Sequence, residues 1–331
     1  MPFWFQIYFL CYSIMNPENL NELISKARPN IKDSTIKMYI GNLNKLKKIF
    51  DVDDFKFLKS PDKVAEKLSD KHYTTQRNYY NSIIILLMSL NGDGEGKYKD
   101  ELEKYNTIRD ELNKKYIDEN ASGIVSEKQS KNLISFEELQ ALIDTIKNEL
   151  DIPKLKKAES ISPKQSKLLM MYVILSILIQ TPMRNDLSNM IIISKKGYNG
   201  LTDDDKKDNN YLLIEKSSLQ FVLNDYKTSK KYLEKKLAIS KDVEKTLRMY
   251  MRLNKLKVGD ILFPISRNGI SQSLIKVSKR FINKSISTTM IRKIVASHLL
   301  KDVKEAEQKL SHKMGTDIAT IKNVYVKKAD E

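Results

Sequence analysis

Cysteine is nearly absent from this chain: Cys11 stands alone among 331 residues. One thiol cannot close an internal disulfide, so no disulfide framework is expected, and a reducing, intracellular setting fits best. Histidine is also scarce, limited to His72, His298 and His312. One cysteine and three scattered histidines give no set with the tight spacing of a zinc site. Ten glycines and eight prolines are too few for collagen-like repeats or long flexible linkers. The densest glycine cluster, NGDGEG (91–96), fails as a calcium loop. Its twelfth position is Leu102, where a bidentate Glu is required. It reads as a turn.

Long apolar runs are missing as well. FWFQIYFLCYSIM (3–15) falls short of the roughly 20 residues that span a bilayer. It also lacks the basic start and small-residue cleavage site of a secretory signal. Residues 1–15 are expected to be an extension ahead of a soluble protein without a membrane partner.

What the chain has in excess is positive charge: 58 Lys and Arg against 42 Asp and Glu, a net +16. Spread over a folded chain with 41% hydrophobic residues, this points to a polyanionic partner, most simply nucleic acid. The competing explanation is a Lys-rich surface inherited from an AT-rich genome, since Lys, Asn and Ile are all abundant.

At about 150 residues per domain, the length suggests two domains. In the first half, apolar residues at Ile36, Ile40, Leu43, Leu46, Ile49 and Phe50 keep helical spacing, with Asp33 or Ser34 as the N-cap. Helices are also expected after Met15 and over 60–70, 74–90 and 98–121, making a bundle of about four over residues 16–130. No nucleotide-binding loop is present in it. A polar linker then leads to Ser135 and Glu138, spaced as a capping box. The second domain is placed at 135–331.

That domain reads as mixed. PKQSKLLMMYVILSILIQT (163–181) is apolar nearly all round and predicts a central buried helix. YLLIE, QFVLN and KKLAI are short β-prone runs, with a turn-rich basic link, DYKTSKKY, between the last two. Helices follow over 241–254 and near 271–281, 287–300, 302–314 and 317–327. The fold class is thus mainly α with a small antiparallel β-sheet.

Four segments of this half, in order, resemble motifs of the tyrosine recombinase (phage integrase) family: TPMRNDLSNM (181–190), NDYKTSKKY (224–232), ISTTMIRKIVASHLL (286–300) and MGTDIATIKNVYVK (314–327). The resemblance covers about residues 30–331. It implies a helical core-binding domain and a catalytic domain that clamp double-stranded DNA, acting as a homotetramer on two duplexes. It assigns Arg184 and Arg292 as a phosphate clamp, Lys227 as general acid and Tyr325 as nucleophile of a 3′-phosphotyrosine intermediate. DNA recombination or integration in a viral or mobile element is the implied role, without metal or cofactor.

The residue types suit that chemistry. Arginine forks bind phosphate oxygens in a bidentate way that lysine cannot copy. A tyrosine supplies an oxygen nucleophile, and a hairpin lysine can protonate the leaving 5′ oxygen. Lys230 is the next candidate for that acid. Arg292, on an otherwise apolar helix, requires a partner. Arg184 also fits a helix-end surface residue, and Lys227 a solvated basic edge.

Two positions depart from the family pattern. Thr289 stands where His or Lys is usual, and Thr316 where His or Trp is usual. His312, four residues before Thr316, is a substitute if the helix runs through. Gly315 argues that it stops first. Lys293 is another possible substitute, and His298 is expected in the core. The rival readings are a type IB topoisomerase-like enzyme, a catalytically decayed DNA-binding protein and a plain helical scaffold.

Overall fold

The computed structural model describes residues 17–91, 96–121 and 127–325. The 1–15 extension with Cys11, most of the NGDGEG turn and the tail beyond Tyr325 lie outside these. The chain divides into two compact units, 1–125 and 126–331. Among the described residues no helix is long and apolar enough to cross a membrane.

The first unit is helical: α1 (Pro17–Ala27), α2 (Asp33–Phe50), α3 (Pro61–Leu68), α4 (Tyr73–Asn91) and α5 (Lys99–Ala121), with a 3-10 turn at Lys56–Lys59. Among the described residues these five helices each fall on a segment read as helical, and the bundle counted as about four has five. Helix α4 carries the apolar run Ile83–Leu87, which is wholly buried, and packs against α1, α2 and α5. Leu20, Ile24, Ile36, Leu43 and Leu46 close the core around it. Burying each such side chain contributes about 1.5–3 kcal/mol. Tyr105, the one buried residue of α5, donates from its hydroxyl to Leu58 O at 2.9 Å. The N-cap of α2 is Lys32, not Asp33 or Ser34, and makes no side-chain capping bond. Asp33 begins the helix instead, where its charge opposes the positive end of the dipole.

The second unit begins with the short α6 (Glu127–Ser130), then α7 (Phe136–Glu149), α8 (Ile152–Lys157) and α9 (Pro163–Gln180). The Ser135–Glu138 capping box forms as expected, and a second, Ser162–Gln165, opens α9. Helix α9 is the hub, with Leu169 and the run Met171–Leu175 buried, and it packs on α7 and on three later helices. These are α13 (Lys241–Leu253), α14 (Arg267–Ile282) and α15 (Thr288–Leu299).

Between α9 and α13 lies a sheet of four strands in the order β1 (Ile191–Ser194), β2 (Asn210–Ile214), β3 (Leu219–Leu223) and β4 (Lys235–Ala238). Short helices α10 (Lys195–Asn199) and α11 (Asp203–Lys207) connect β1 to β2, and α12 (Ser229–Tyr232) lies between β3 and β4. Strands β2, β3 and β4 are antiparallel, at the three β-prone runs of the sequence. The sheet is nevertheless mixed, because β1 joins parallel to β2. That strand was not anticipated. Its run IIIS is too short for periodicity to reveal, and the α10–α11 crossover makes parallel pairing possible. Ile192, Leu212 and Phe221 face the main core, while Tyr211, Leu213 and Val222 join Tyr198 in a smaller cluster on the other face.

The chain ends with α16 (Lys301–Met314), α17 (Ile318–Thr320) and a π-helical turn, Ile321–Tyr325. The single helix expected over 317–327 is thus one short turn and one wide one. His298 is not a core residue. It lies exposed at the end of α15, stacked on Phe136 at 3.9 Å between ring centroids.

Candidate active site

Helix α9 stops at Gln180, and Thr181 and Pro182 carry the chain into an irregular loop that ends at β1. Met183, Leu187 and Met190 are pegs into the core. Polar ties fix the intervening residues: Ser188 Oγ donates to Ile265 O at 2.7 Å and Asn189 N to Phe263 O at 3.1 Å. Arg184 stands exposed between the first two pegs. It makes no hydrogen bond or ion pair among the described residues.

Arg292 is brought to this loop from α15. Ser287 caps that helix by accepting from Met290 N. Thr288, buried in its first turn, donates to Asn185 Oδ1 at 2.5 Å and meets Ser271 Oγ at 3.1 Å. One turn on, Arg292 is half-buried and donates from Nε to Pro182 O at 3.0 Å. This is the partner that an arginine on an apolar helix requires. Only Nε is engaged, so both terminal nitrogens of Arg292 are without a partner among the described residues.

Asp186 lies beneath these groups, 7% exposed. Burial, with a contribution from Asp225, pushes its carboxyl above the ordinary aspartate range, against the pull of Arg267, Arg184 and Arg292. That all three arginines act on one carboxylate shows that the fold gathers them. Arg267, the first residue of Ser266-capped α14, is nearest, at 3.9 Å from Asp186.

The β3–β4 connection is tied to the same place. Arg267 donates to Asp225 O and Oδ2, both at 2.8 Å. The Asn210 side chain donates to Asp186 O and Asp225 O and accepts from the backbone N–H groups of Asn224 and Asp225, all within 3.0 Å. Tyr226 is buried and donates to Leu233 O at 2.8 Å. Lys227 follows, exposed, with no hydrogen bond or ion pair among the described residues. Lys230 is also exposed, on α12.

The remaining expected residues are not joined to this cluster by any described contact. Tyr325 is 58% exposed on the π-helical turn, which is held by buried Ile321 and by an ion pair between Lys322 and Glu307 at 2.8 Å. His312 is exposed on α16, which ends at Met314 because Gly315 adopts the left-handed conformation at φ +62°. The helix therefore stops before Thr316, which is tied back to Ser311, and the same-face argument for His312 fails. Thr289 is exposed beside buried Thr288. Lys293 donates from its ammonium to Gln129 Oε1 at 2.9 Å.

Arg267, Asp186, Asn185, Thr288 and Asn210 were missed in the sequence. Asp186 had a signal, a charged residue two places after Arg184 among methionine and leucine pegs. The others had none, because their partners lie far away in sequence.

Chemically, the cluster offers donors that suit an anion. Two arginines with unsatisfied donors are held on a shared scaffold, next to an exposed lysine hairpin. Among the described residues no group of three or more His, Cys, Asp or Glu is placed to hold a metal ion. Comparison with protein-family models finds none that matches this chain, and comparison with curated proteins finds no match either.

Proposed function

We propose that the chain cuts and rejoins DNA as a site-specific recombinase of the tyrosine type. The observation that carries this reading is the link from Arg292 Nε to Pro182 O. It sets the free fork of Arg292 beside the loop that bears Arg184, as a clamp on the scissile phosphate requires. The net charge of +16 supports a DNA partner, with affinity that falls steeply as salt rises.

In this mechanism Arg184 and Arg292 bind the non-bridging oxygens. The Tyr325 oxygen forms a bond to phosphorus and loses its proton to solvent. The bond from phosphorus to the 5′ oxygen breaks, and Lys227 gives that oxygen a proton. A 5′ hydroxyl from a second duplex then attacks the 3′-phosphotyrosine and gives up its proton to Lys227; the bond from phosphorus to the Tyr325 oxygen breaks, that oxygen regains a proton from solvent, and the DNA backbone is restored, within a tetramer on two duplexes. Tyr325 acts from an exposed turn with few ties, so DNA binding must bring it to the clamp.

A second reading, a DNA-binding protein that has lost catalysis, is favoured by the threonines at 289 and 316 and by the separation of His312 from the arginines. Nicked suicide duplexes carrying the terminal sequences of the chain's own genetic element distinguish the two. A protein–DNA adduct that survives denaturing electrophoresis and disappears in Tyr325→Phe supports the recombinase. Salt-sensitive binding without an adduct supports the decayed protein. Relaxation of supercoiled DNA without strand exchange indicates topoisomerase activity instead.

A further inference from the structure

Helix α16 has no buried residue along its 14 positions. Its main packing neighbours are α15 and α17, the elements immediately before and after it. A helix this short is marginal in water unless an apolar face is covered. It does have such a face. Val303, Ala306 and Leu310 recur at spacings of three and four, the heptad pattern of a two-helix seam, and Leu299, the last residue of α15, stands four residues before Val303 across the Leu300 turn. Leu299, Val303 and Leu310 are 65%, 50% and 43% exposed. Leu300 and Met314, also exposed, widen the stripe along one edge. The helix carries four lysines against three acids, a balance unsuited to a DNA-facing surface.

We propose that this face pairs with α16 of a second copy of the chain, antiparallel, in the absence of DNA. The charges choose both occupant and direction. Asp302 and Lys309 lie one heptad apart on the other edge, and neither makes an ion pair among the described residues. In an antiparallel pair the same edges face each other, so Asp302 of each copy meets Lys309 of the other, twice by symmetry. A parallel pair sets Asp302 against Glu307 of the other copy, two like charges. The face is therefore complementary to itself in one orientation and opposed to itself in the other. This inference stands apart from the catalytic reading and uses none of its residues.

Sedimentation of the full chain without DNA, over a concentration series, tests it. The wild type is expected to show a monomer–dimer equilibrium. Val303→Glu with Leu310→Glu is expected to be monomeric with an unchanged melting temperature, since no buried residue is touched. Lys309→Asp turns both ion pairs into repulsions and is expected to weaken the dimer about tenfold. The exchange Asp302→Lys with Lys309→Asp is expected to restore it. A wild type monomeric at every concentration overturns the proposal. So does a melting temperature lowered by the double glutamate variant in dilute protein, which means that the chain's own residues cover the face. Failure of the exchange to restore the dimer overturns the antiparallel geometry.

Discussion

Two stretches of the second unit are built in opposite ways. From Thr181 to Met190, the loop that bears Arg184 is pegged by buried side chains, joined by side-chain hydrogen bonds to β2, α14 and α15, and linked through Asn210 and Arg267 to the β3–β4 connection. From Leu299 to Tyr325, a whole helix lacks a buried residue, and the turn bearing Tyr325 is held by one buried isoleucine and one surface ion pair. Under the proposed reading, the backbone that carries the arginines, and Arg292 through its Nε, are fixed before DNA arrives. The group that must enter and leave the phosphate sits at the low end of local stability. Exposed ion pairs contribute about 0–1 kcal/mol, so Lys322–Glu307 does not anchor that turn firmly.

The largest effect that sharpens this contrast is at the nucleophile. Tyr325→Phe is expected to lower covalent adduct by at least about 10³-fold in a denaturing gel, with DNA binding and melting temperature unchanged. Next, Arg292→Ala is expected to slow adduct formation about 10²–10³-fold and also to free Pro182 O, whereas Arg184→Ala slows it without loosening the loop. Single-turnover rates beside urea unfolding separate the two.

Asn210→Leu tests the tied region itself. It strands two backbone donors and the Asp186 carbonyl, while Asp225 O keeps its bond from Arg267, and is expected to cost about 2–4 kcal/mol in urea unfolding. If it costs no more than a surface substitution, the picture of a rigid scaffold fails.

A smaller effect concerns pH. The Asp186 carboxyl is pushed up in the folded chain, so the native state holds that proton more tightly than the unfolded state. Its contribution to stability is greatest below the ordinary aspartate value of 3.8 and falls as pH rises toward the raised one. The stability of wild type relative to Asp186→Asn is therefore expected to decline with rising pH across that window and then level off. A flat difference between the two curves removes Asp186 as the buried carboxylate of the site. The smallest effect belongs to His312→Ala, expected to change adduct rate less than about twofold because its helix ends short of the clamp.

Much of the helical framework was legible because it rests on local rules. The Ser135–Glu138 box, the apolar run of α9 and the β-prone runs of β2 and β3 are each read from neighbouring residues. Strand β1 was hidden because three isoleucines and a serine after a motif carry no period. Arg184 and Arg292 were visible through motif resemblance, and the fold supplies the bond that relates them. Arg267 was not visible, because its meaning comes from Asp225 and Asp186, 42 and 81 positions away, and no local pattern encodes such a meeting. The stop at Gly315 was also legible, because a glycine in the left-handed conformation commonly ends a helix, and α16 ends there before Thr316.

The four hydrogen bonds of Asn210 have a consequence for how the chain folds. They form only when β2 sits in the register that pairs Asn210 with Leu223. A slip of one residue turns its side chain to the opposite face and loses all four at once. A misaligned sheet therefore cannot carry a half-built site: the loop after Arg184 and the start of the lysine hairpin lose their common anchor together. Asn210 thus ties the alignment of the sheet to the assembly of the loop that bears Arg184.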